Sequence, residues 1–198
     1  EQLVQAWGTL DILVNNAGIV LISETVRANF PRVMSEMLST GSSAQSVEAT
    51  QSMRDSQWRR TLSVHLDGTF YCTREALKIM EPNGYGKIIN MASIAGLTGL
   101  LGSPDYSAAK AGIIGLTKAV AREVICRGVY VNAIAPGYVD TPFLDALDAD
   151  TKQLVARQAP IGRLGTARDV ASTAPYLAGA ESTFAVGEVI SPIGGHFA

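Results

Sequence analysis

Asn90-Met-Ala-Ser93 and Tyr106-Ser-Ala-Ala-Lys110 are the stretches that decide the fold. Ser93 ends an apolar run that begins at Lys87, and such a run is typical of a buried strand. Tyr106 and Lys110 lie four residues apart, so on a helix both face the same side, one turn apart. An ammonium group near a phenol favours the phenolate, which predicts a Tyr106 pKa below the usual value of about 10. The sequence therefore predicts Tyr106 as a proton donor and acceptor, with the Ser93 hydroxyl bonded to the same substrate oxygen.

A Tyr-x-x-x-Lys pair also occurs on helix surfaces that carry no chemistry. Here it follows a strand that ends in a serine and a loop with three glycines, and small residues surround it. In this arrangement the chain resembles the short-chain dehydrogenase/reductase family, whose catalytic Ser, Tyr and Lys match Ser93, Tyr106 and Lys110. The resemblance implies a hydride transfer between NAD or NADP and a secondary alcohol or ketone, with Tyr106 exchanging the proton. It also implies that Lys110 holds the nicotinamide ribose.

Composition limits the remaining classes of function. The chain has 198 residues, of which 47% are hydrophobic and 17% charged, as expected of one globular α/β domain. The formal net charge of −2 argues against a nucleic-acid partner. No segment has the roughly 18 uninterrupted apolar residues of a membrane span, and the first residues are not a signal peptide. We therefore expect a cytoplasmic enzyme with a small-molecule substrate.

The cysteines and histidines do not have the spacing of metal ligands. Cys72 and Cys126 lie in apolar helical patterns and are expected to be reduced core thiols. His65 and His196 are isolated in the sequence, so no metal site is expected.

Two further motifs point to the cofactor. The apolar run Ile12-Leu-Val predicts a parallel strand that is buried on both faces, and Asn15-Asn-Ala-Gly18 follows at the end of this strand. A plain strand-to-loop turn would look similar, but the resemblance implies that Asn15, Ala17 and Gly18 line the adenosine ribose and support the sheet.

The second motif, Pro136-Gly-Tyr-Val-Asp-Thr141, follows the strand from Val129. Pro-Gly is a common turn signal, yet by resemblance this loop, Pro136, Gly137, Val139 and Thr141, holds the nicotinamide carboxamide.

His65 marks a departure from the family. Residues 58–80 are predicted to form one long helix, and the stretch from Val64 to Phe70 resembles the family's Asn-x-x-Gly-x-Phe pattern. His65 takes the place of that Asn, the family's fourth catalytic residue, which kinks the helix and binds a water in a proton relay to the Lys. An imidazole can also donate and accept hydrogen bonds. The substitution is thus compatible with a working relay or with an impaired one.

The fold is predicted to be a single partial Rossmann-like domain over residues 1–198, a doubly wound parallel sheet. Residues 19–57 form a segment longer than the usual connection in a compact domain, with a polar, poorly patterned stretch from Thr40 to Ser52 and a short helix expected to start at Pro31. They are interpreted as an insertion over the site or a mobile loop, and the composition favours the loop. Residues 142–165 are predicted to form a helical flap over the substrate. Pro175 is expected to distort the helix that begins near Thr166.

The chain has no Thr-Gly-x-x-x-Gly-x-Gly turn, which in the resembled family holds the pyrophosphate. We therefore expect the family's N-terminal strands to be absent here, so that the chain is a fragment of a longer protein or a shortened product. Two functions stay open: the hydride transfer, or a non-catalytic fragment that acts only through association. By resemblance, the helix from Trp58 and the helix from Tyr106 would build a homodimer or homotetramer. The ending from Gly187 to Gly195 resembles oxoacyl reductases of the family, a weak hint about substrate.

Overall fold

A computed structural model describes residues 2–144 and 149–196. Its centre is a four-stranded parallel sheet in the order β1-β2-β3-β4. The strands are β1 (Ile12–Asn15), β2 (Gly86–Met91), β3 (Val129–Ile134) and β4 (Val189–Ile190). The predicted class, an α/β fold with a parallel sheet, is confirmed.

Helices precede, connect and follow these strands. In chain order they are α1 (Gln2–Trp7), α2 (Glu24–Thr40), α3 (Ala49–Ser52), α4 (Asp55–Leu62), α5 (Gly68–Asn83), α6 (Ile94–Thr98), α7 (Pro104–Val124), α8 (Ala149–Arg157), α9 (Ala167–Ala171) and α10 (Thr173–Ala178). A π-helical turn, Ser63–Asp67, joins α4 to α5, so the long helix predicted over residues 58–80 is present but interrupted at His65. No helix in the described ranges has the length and apolarity needed to cross a membrane.

Apolar side chains cover the two faces of the sheet. Successive residues of a strand point to opposite faces, and Ile88 and Ile89 of β2 accordingly belong to different clusters. The first cluster lies toward α5 and α7 and includes Ala76, Met80, Ala121, Val124, Val129 and Val131. The second lies toward α10 and includes Ile134, Leu177 and Ala185. Helices on both faces fix the carboxyl ends of the strands at one edge, where open α/β sheets bind ligands.

Strand β1 differs from its prediction. Ile12 and Val14 are 44% and 46% exposed, so the strand is not buried on both faces. Within the described residues β1 lies at the edge of the sheet, paired with β2 alone. Leu13 packs on the cluster toward α5, whereas its two neighbours point to the other face, where β1 has little cover.

Cys72 and Cys126 are free thiols, but both are exposed, so their predicted place in the core was wrong. On α5 the buried positions are Thr69, Thr73, Ala76 and Met80, a stripe that excludes Cys72. The apolar character of these segments did not identify the buried side of the helix.

The segment 19–57 is more helical than its composition suggests. Helix α2 begins after Ser23, whose side chain accepts a hydrogen bond from the Val26 N–H, and Pro31 lies inside the helix. It ends at Gly41 in a left-handed conformation, the usual C-terminal cap. Val26 and Val33 of α2 pack with Val47 and Ala49 in a small apolar cluster. The short helix expected from Pro31 is therefore the second half of a longer one.

Pro175 has the predicted effect. Helices α9 and α10 are separate, and the break at Ser172 lies just before the residue that cannot donate a backbone hydrogen bond. The start of α9 is secured by a capping box, in which the side chains of Thr166 and Asp169 each accept the other's backbone N–H.

Candidate active site

A cavity of about 860 Å³ opens at the carboxyl edge of the sheet. Nine of the residues predicted for catalysis or cofactor binding line it: Gly18, His65, Ser93, Tyr106, Lys110, Pro136, Gly137, Val139 and Thr141. Asn15 and Ala17 are not among its lining residues. The packing of the fold thus brings together residues that are more than 120 positions apart in the sequence.

Ser93 is held at the junction between β2 and α6. It is the N-cap of α6, and its hydroxyl accepts a hydrogen bond of 3.1 Å from the Ala95 N–H. The side chain is 8% exposed and is hydrogen-bonded to Tyr106. Ser93 is therefore both a structural cap and a polar group facing the cavity.

Tyr106 lies in the first turn of α7. Burial raises the pKa of its phenol above the usual value of 10, and the hydrogen bond with Ser93 opposes this only in part. The expected lowering of the Tyr106 pKa by Lys110 is therefore not observed. The reason is that desolvation disfavours the phenolate more than the surrounding polar groups stabilise it. Near neutral pH the Tyr106 side chain is a neutral phenol.

Lys110 follows one turn later and is 5% exposed. Its Nζ lies 5.5 Å from the centre of the Tyr106 ring and donates a hydrogen bond of 2.5 Å to the Met91 carbonyl at the end of β2. Burial lowers the pKa of the Lys110 amine to about 8. The amine is thus charged for most of the time at pH 7, and it changes charge within a range in which enzymes work.

Gly96 explains how closely α6 approaches α7. A Cβ on Gly96 would lie 2.5 Å from the Lys110 carbonyl carbon and 2.7 Å from the Ala111 nitrogen, both backbone atoms. Only a residue without a side chain allows this contact. The close packing places the N-terminal end of α6, with Ser93, beside the turn that carries Tyr106 and Lys110.

We expect Gly96→Ala to lower the free energy of unfolding by about 1–3 kcal/mol, because the methyl group forces two packed helices apart. Gly115→Ala on α7 is the matched control. A Cβ there meets nothing within 4 Å, and Ala is about 1 kcal/mol better than Gly inside a helix. Urea unfolding of both variants measures the effect. Equal stability changes in the two variants would contradict the close contact.

His65 is buried in the π-helical turn and is 2% exposed. Its Nε2 lies 2.8 Å from the Ile19 carbonyl and 3.1 Å from the Ile19 nitrogen, and its ring meets the Tyr106 ring edge-on at 5.2 Å. Burial lowers the pKa of the imidazole, so the ring is neutral at pH 7. Nε2 donates to the Ile19 carbonyl in one tautomer and accepts from the Ile19 N–H in the other. The buried Nδ1 has no hydrogen-bond partner among the described residues.

Gly18 leaves room for the His65 ring. A Cβ at Gly18 would lie 2.7 Å from Cε1 of His65, so the imidazole occupies the space that a side chain would need. The wall formed by Gly18 and Ile19 is therefore positioned by His65.

Asp105, which lies directly before Tyr106, is a buried residue next to the site that was not predicted. The carboxylate is 2% exposed and accepts hydrogen bonds from the Thr61 hydroxyl at 2.8 Å, from the Gln57 amide at 3.4 Å and from the Tyr106 N–H at 2.9 Å. These contacts connect α4 to the first turn of α7. An acidic residue in the first turn of a helix is favoured by the helix dipole, and that was the available signal.

Asn15 belongs to a polar chain that crosses the fold beneath the cavity. Its amide donates to the Asn90 side-chain oxygen at 2.8 Å and to the Thr73 hydroxyl at 3.1 Å. The Asn90 amide in turn donates to the Thr117 hydroxyl at 2.9 Å. These bonds connect β1, β2, α5 and α7, and they use the Asn15 amide inside the protein.

The loop of residues 136–141 is fixed from two sides. The Gly137 N–H donates to the Pro192 carbonyl at 3.2 Å, and a Cβ on Gly137 would lie 3.1 Å from the Ile193 Cα. Val139 forms an isolated parallel bridge with Gly165, and the Thr141 hydroxyl donates to the Val139 carbonyl at 3.4 Å. These contacts hold the loop in place while Pro136, Gly137, Val139 and Thr141 line the cavity.

The predicted flap over residues 142–165 contains a 3₁₀ turn, Pro142–Leu144, and α8. Leu144 and Val155 line the cavity, as expected of a cover. Leu147, which the prediction included, lies outside the described residues. No three His, Cys, Asp or Glu side chains in ranges 2–144 and 149–196 come together as a metal site would require.

The relatives found by comparison with known proteins are named as reductases. The family model described as Enoyl-(Acyl carrier protein) reductase matches residues 22–196. The chain is 33% identical over 195 residues to the 3-oxoacyl-[acyl-carrier-protein] reductase FabG of Thermotoga maritima, covering 98% of the chain and 69% of the relative. It is 34% identical over 197 residues to the FabG of Staphylococcus aureus, covering 100% of the chain and 70% of the relative.

Solved structures agree with this. The structure "ElxO with NADP Bound" matches with a TM-score of 0.81 at 30% identity, covering 98% of this chain and 70% of that one. A putative gluconate dehydrogenase from Agrobacterium tumefaciens matches with the same TM-score and identity, covering 98% of this chain and 68% of that one.

Proposed function

The chain belongs to the short-chain dehydrogenase/reductase family of NAD(P)-dependent oxidoreductases, and on that premise we propose that it interconverts a ketone and a secondary alcohol at Ser93, Tyr106 and Lys110. One observation carries the proposal: these three side chains line the same cavity, with the Ser93 and Tyr106 side chains hydrogen-bonded to each other. The relatives named 3-oxoacyl reductases, which act on a keto group, support the same reaction class.

In the reducing direction Tyr106 donates its proton to the oxygen of the ketone. The raised pKa of this phenol suits the role, because the group is protonated at neutral pH. Ser93 donates a hydrogen bond to the same oxygen and so fixes it beside Tyr106. The Lys110 ammonium stabilises the phenolate that remains after the transfer.

The residues present fit the nicotinamide end of NAD or NADP, which when bound supplies the hydride. A ribose needs hydrogen-bond donors and acceptors, and the Lys110 amine and Tyr106 hydroxyl line the same cavity. A carboxamide needs backbone groups and hydroxyls as partners, and four residues of the loop from Pro136 to Thr141, Thr141 among them, line the cavity. The structural relative with NADP bound supports this choice of cofactor. The predicted adenosine contacts, Asn15, Ala17 and Gly18, remain part of the proposal.

His65 takes the relay position in this proposal. Its buried Nδ1 has no partner within residues 2–144 and 149–196, which leaves it open to a water molecule between the imidazole and the Lys110 ammonium. The neutral ring adds no positive charge beside Lys110. The contact between Nε2 and Ile19 keeps the imidazole in one orientation.

We expect His65→Asn to lower turnover by about 2- to 13-fold, the factor that corresponds to one net hydrogen bond of about 0.5–1.5 kcal/mol. The shorter side chain leaves space beside Gly18 and loses the contact to the Ile19 carbonyl. Steady-state rates of the variant and the parent decide the question. A higher rate for His65→Asn would mean that the imidazole impairs the relay.

The direct test supplies NADH or NADPH with a panel of ketones. We expect the absorbance of the reduced cofactor to fall, with one equivalent of secondary alcohol formed for each cofactor oxidised. Loss of cofactor absorbance without alcohol, or no reaction with any ketone in a protein that binds the cofactor, would refute the proposed reaction.

A second candidate, association without catalysis, has its own observation. Trp58, Phe70 and Tyr71 lie on α4 and α5 and are 39%, 43% and 51% exposed. Exposed aromatic side chains on one helical segment suit a contact with a second copy of the chain. An oligomer that binds neither NADH nor NADPH would favour this function over the enzymatic one.

A further inference from the structure

Helix α2 forms one wall of the cavity, although its segment is the least patterned part of the sequence. Its side chains Val26 and Phe30 line the cavity together with the catalytic residues. A Cβ on Gly102 would lie 3.3 Å from Val26 Cγ1 and 3.4 Å from Phe30 Cδ2. The helix therefore packs directly on the loop that precedes Tyr106.

Other contacts hold α2 in this position. Val33 and Val47 are 2% and 3% exposed and belong to the cluster that anchors the helix to the segment after it. The Gln158 amide also donates to the Met34 sulfur at 3.4 Å, which ties α2 to the residue following α8. Neighbouring segments thus hold α2 in place as a wall of the cavity.

Apolar side chains line the cavity along α2, the segment before it and the 3₁₀ turn: Val20, Leu21, Ile22, Val26, Phe30 and Leu144. Of the charged lining residues, Asp105 is bonded to Thr61 and Lys110 to the Met91 carbonyl, whereas Arg27 is exposed. Along the apolar side chains a polyol would lose water without gaining partners, and that loss is costly.

From these contacts we infer that the cavity takes ketones and secondary alcohols with a hydrocarbon chain beside the reactive carbon. Val26 and Phe30 determine this specificity. The inference rests on the proposed function for the identity of the reactive carbon. The chain can belong to a free alkyl ketone or to a 3-oxoacyl thioester, since both present the same methylenes to α2.

The test measures binding separately from turnover. Straight-chain 2-alkanols from butanol to decanol, gluconate, and a 3-oxoacyl thioester of N-acetylcysteamine are titrated by calorimetry. Affinity is expected to rise about three- to fourfold for each added methylene, the factor for burying one such group, and gluconate is expected not to bind. Tight binding of the thioester but not of alkanols assigns the chain to an acyl group, and the reverse assigns it to a free ketone.

Two isosteric variants locate the site. Val26→Thr adds a hydroxyl to the wall, whereas Val33→Thr adds one to the same helix within the cluster but away from the cavity. The chain-length dependence is expected to flatten in the first variant and to persist in the second. A flat series in the parent, or equal behaviour of the two variants, overturns the inference. Chain-length-dependent binding without any turnover would leave the inference in place and refute the proposed reaction instead.

Discussion

Replacing Tyr106 by Phe is expected to lower turnover by about 10²–10⁴-fold, the usual contribution of a positioned general acid. The phenol is the group placed to give a proton to the substrate oxygen, and its raised pKa keeps that proton available at neutral pH. The substitution removes one oxygen from a packed site, so the fold is expected to survive, and the cofactor affinity is expected to fall by no more than the loss of one hydrogen bond. Steady-state rates, thermal unfolding and a cofactor titration of the same preparation test all three expectations.

The matched control is Tyr85→Phe, which removes the same oxygen from a side chain that is 44% exposed and does not line the cavity. Its turnover is expected to equal that of the parent. If Tyr106→Phe retains the parental rate, the assignment of the proton donor is wrong. If both variants lose activity equally, the effect does not come from the site.

The pH profile gives a second test of the same residue. Alcohol oxidation needs the phenolate, so its rate is expected to rise with pH toward a Tyr106 pKa above 10. Ketone reduction needs the phenol and is expected to be favoured at neutral pH and to fall at high pH. A Tyr106 that ionises well below 10, as its spacing from Lys110 alone predicted, would give the highest oxidation rates near neutrality.

That difference shows what the sequence could and could not supply. The spacing of Tyr106 and Lys110 correctly predicted that both side chains face the same cavity, because four residues make one helical turn. The direction of the pKa shift depends instead on burial. Burial comes from the close packing of α6 on α7, which Gly96 permits, and no pattern within either helix encodes it. The sequence therefore identified the residues for proton transfer, but it did not reveal the protonation state of Tyr106.

For helix α2, the sequence contains the signals for both ends of the helix, but the prediction did not use them. Its cap at Ser23 and its end at Gly41 are both sequence signals, yet Pro31 and the polar stretch after the helix concealed them. The stabilising contacts come from distant residues such as Gly102 and Gln158, which local periodicity cannot reveal. The exposed face of β1 was missed for the same reason: the local sequence of an apolar strand is similar at the centre and at the edge of a sheet.

Replacing Lys110 by Met is expected to lower turnover by at least about 10²-fold and also to change how stability depends on pH. The folded state holds the Lys110 pKa at about 8, whereas the unfolded chain has the ordinary value of about 10.4. Between these values the unfolded state binds more protons, so the lysine's contribution to stability rises with pH through this window. Below pH 8 the buried charge costs its full amount.

Relative to Lys110→Met, the parent should therefore gain roughly 3 kcal/mol of unfolding free energy as the pH rises from 7 to above 10.5. The variant also loses the hydrogen bond to the Met91 carbonyl, but this shifts the difference by a constant and leaves its slope unchanged. Urea unfolding at several pH values measures the slope. Lys118→Met is the control, because that side chain is exposed on the same helix and its removal should give a constant difference. If the difference in unfolding free energy between the parent and Lys110→Met also stays constant with pH, the amine is solvated in the folded protein. The proposal of a buried ammonium beside Tyr106 would then be wrong.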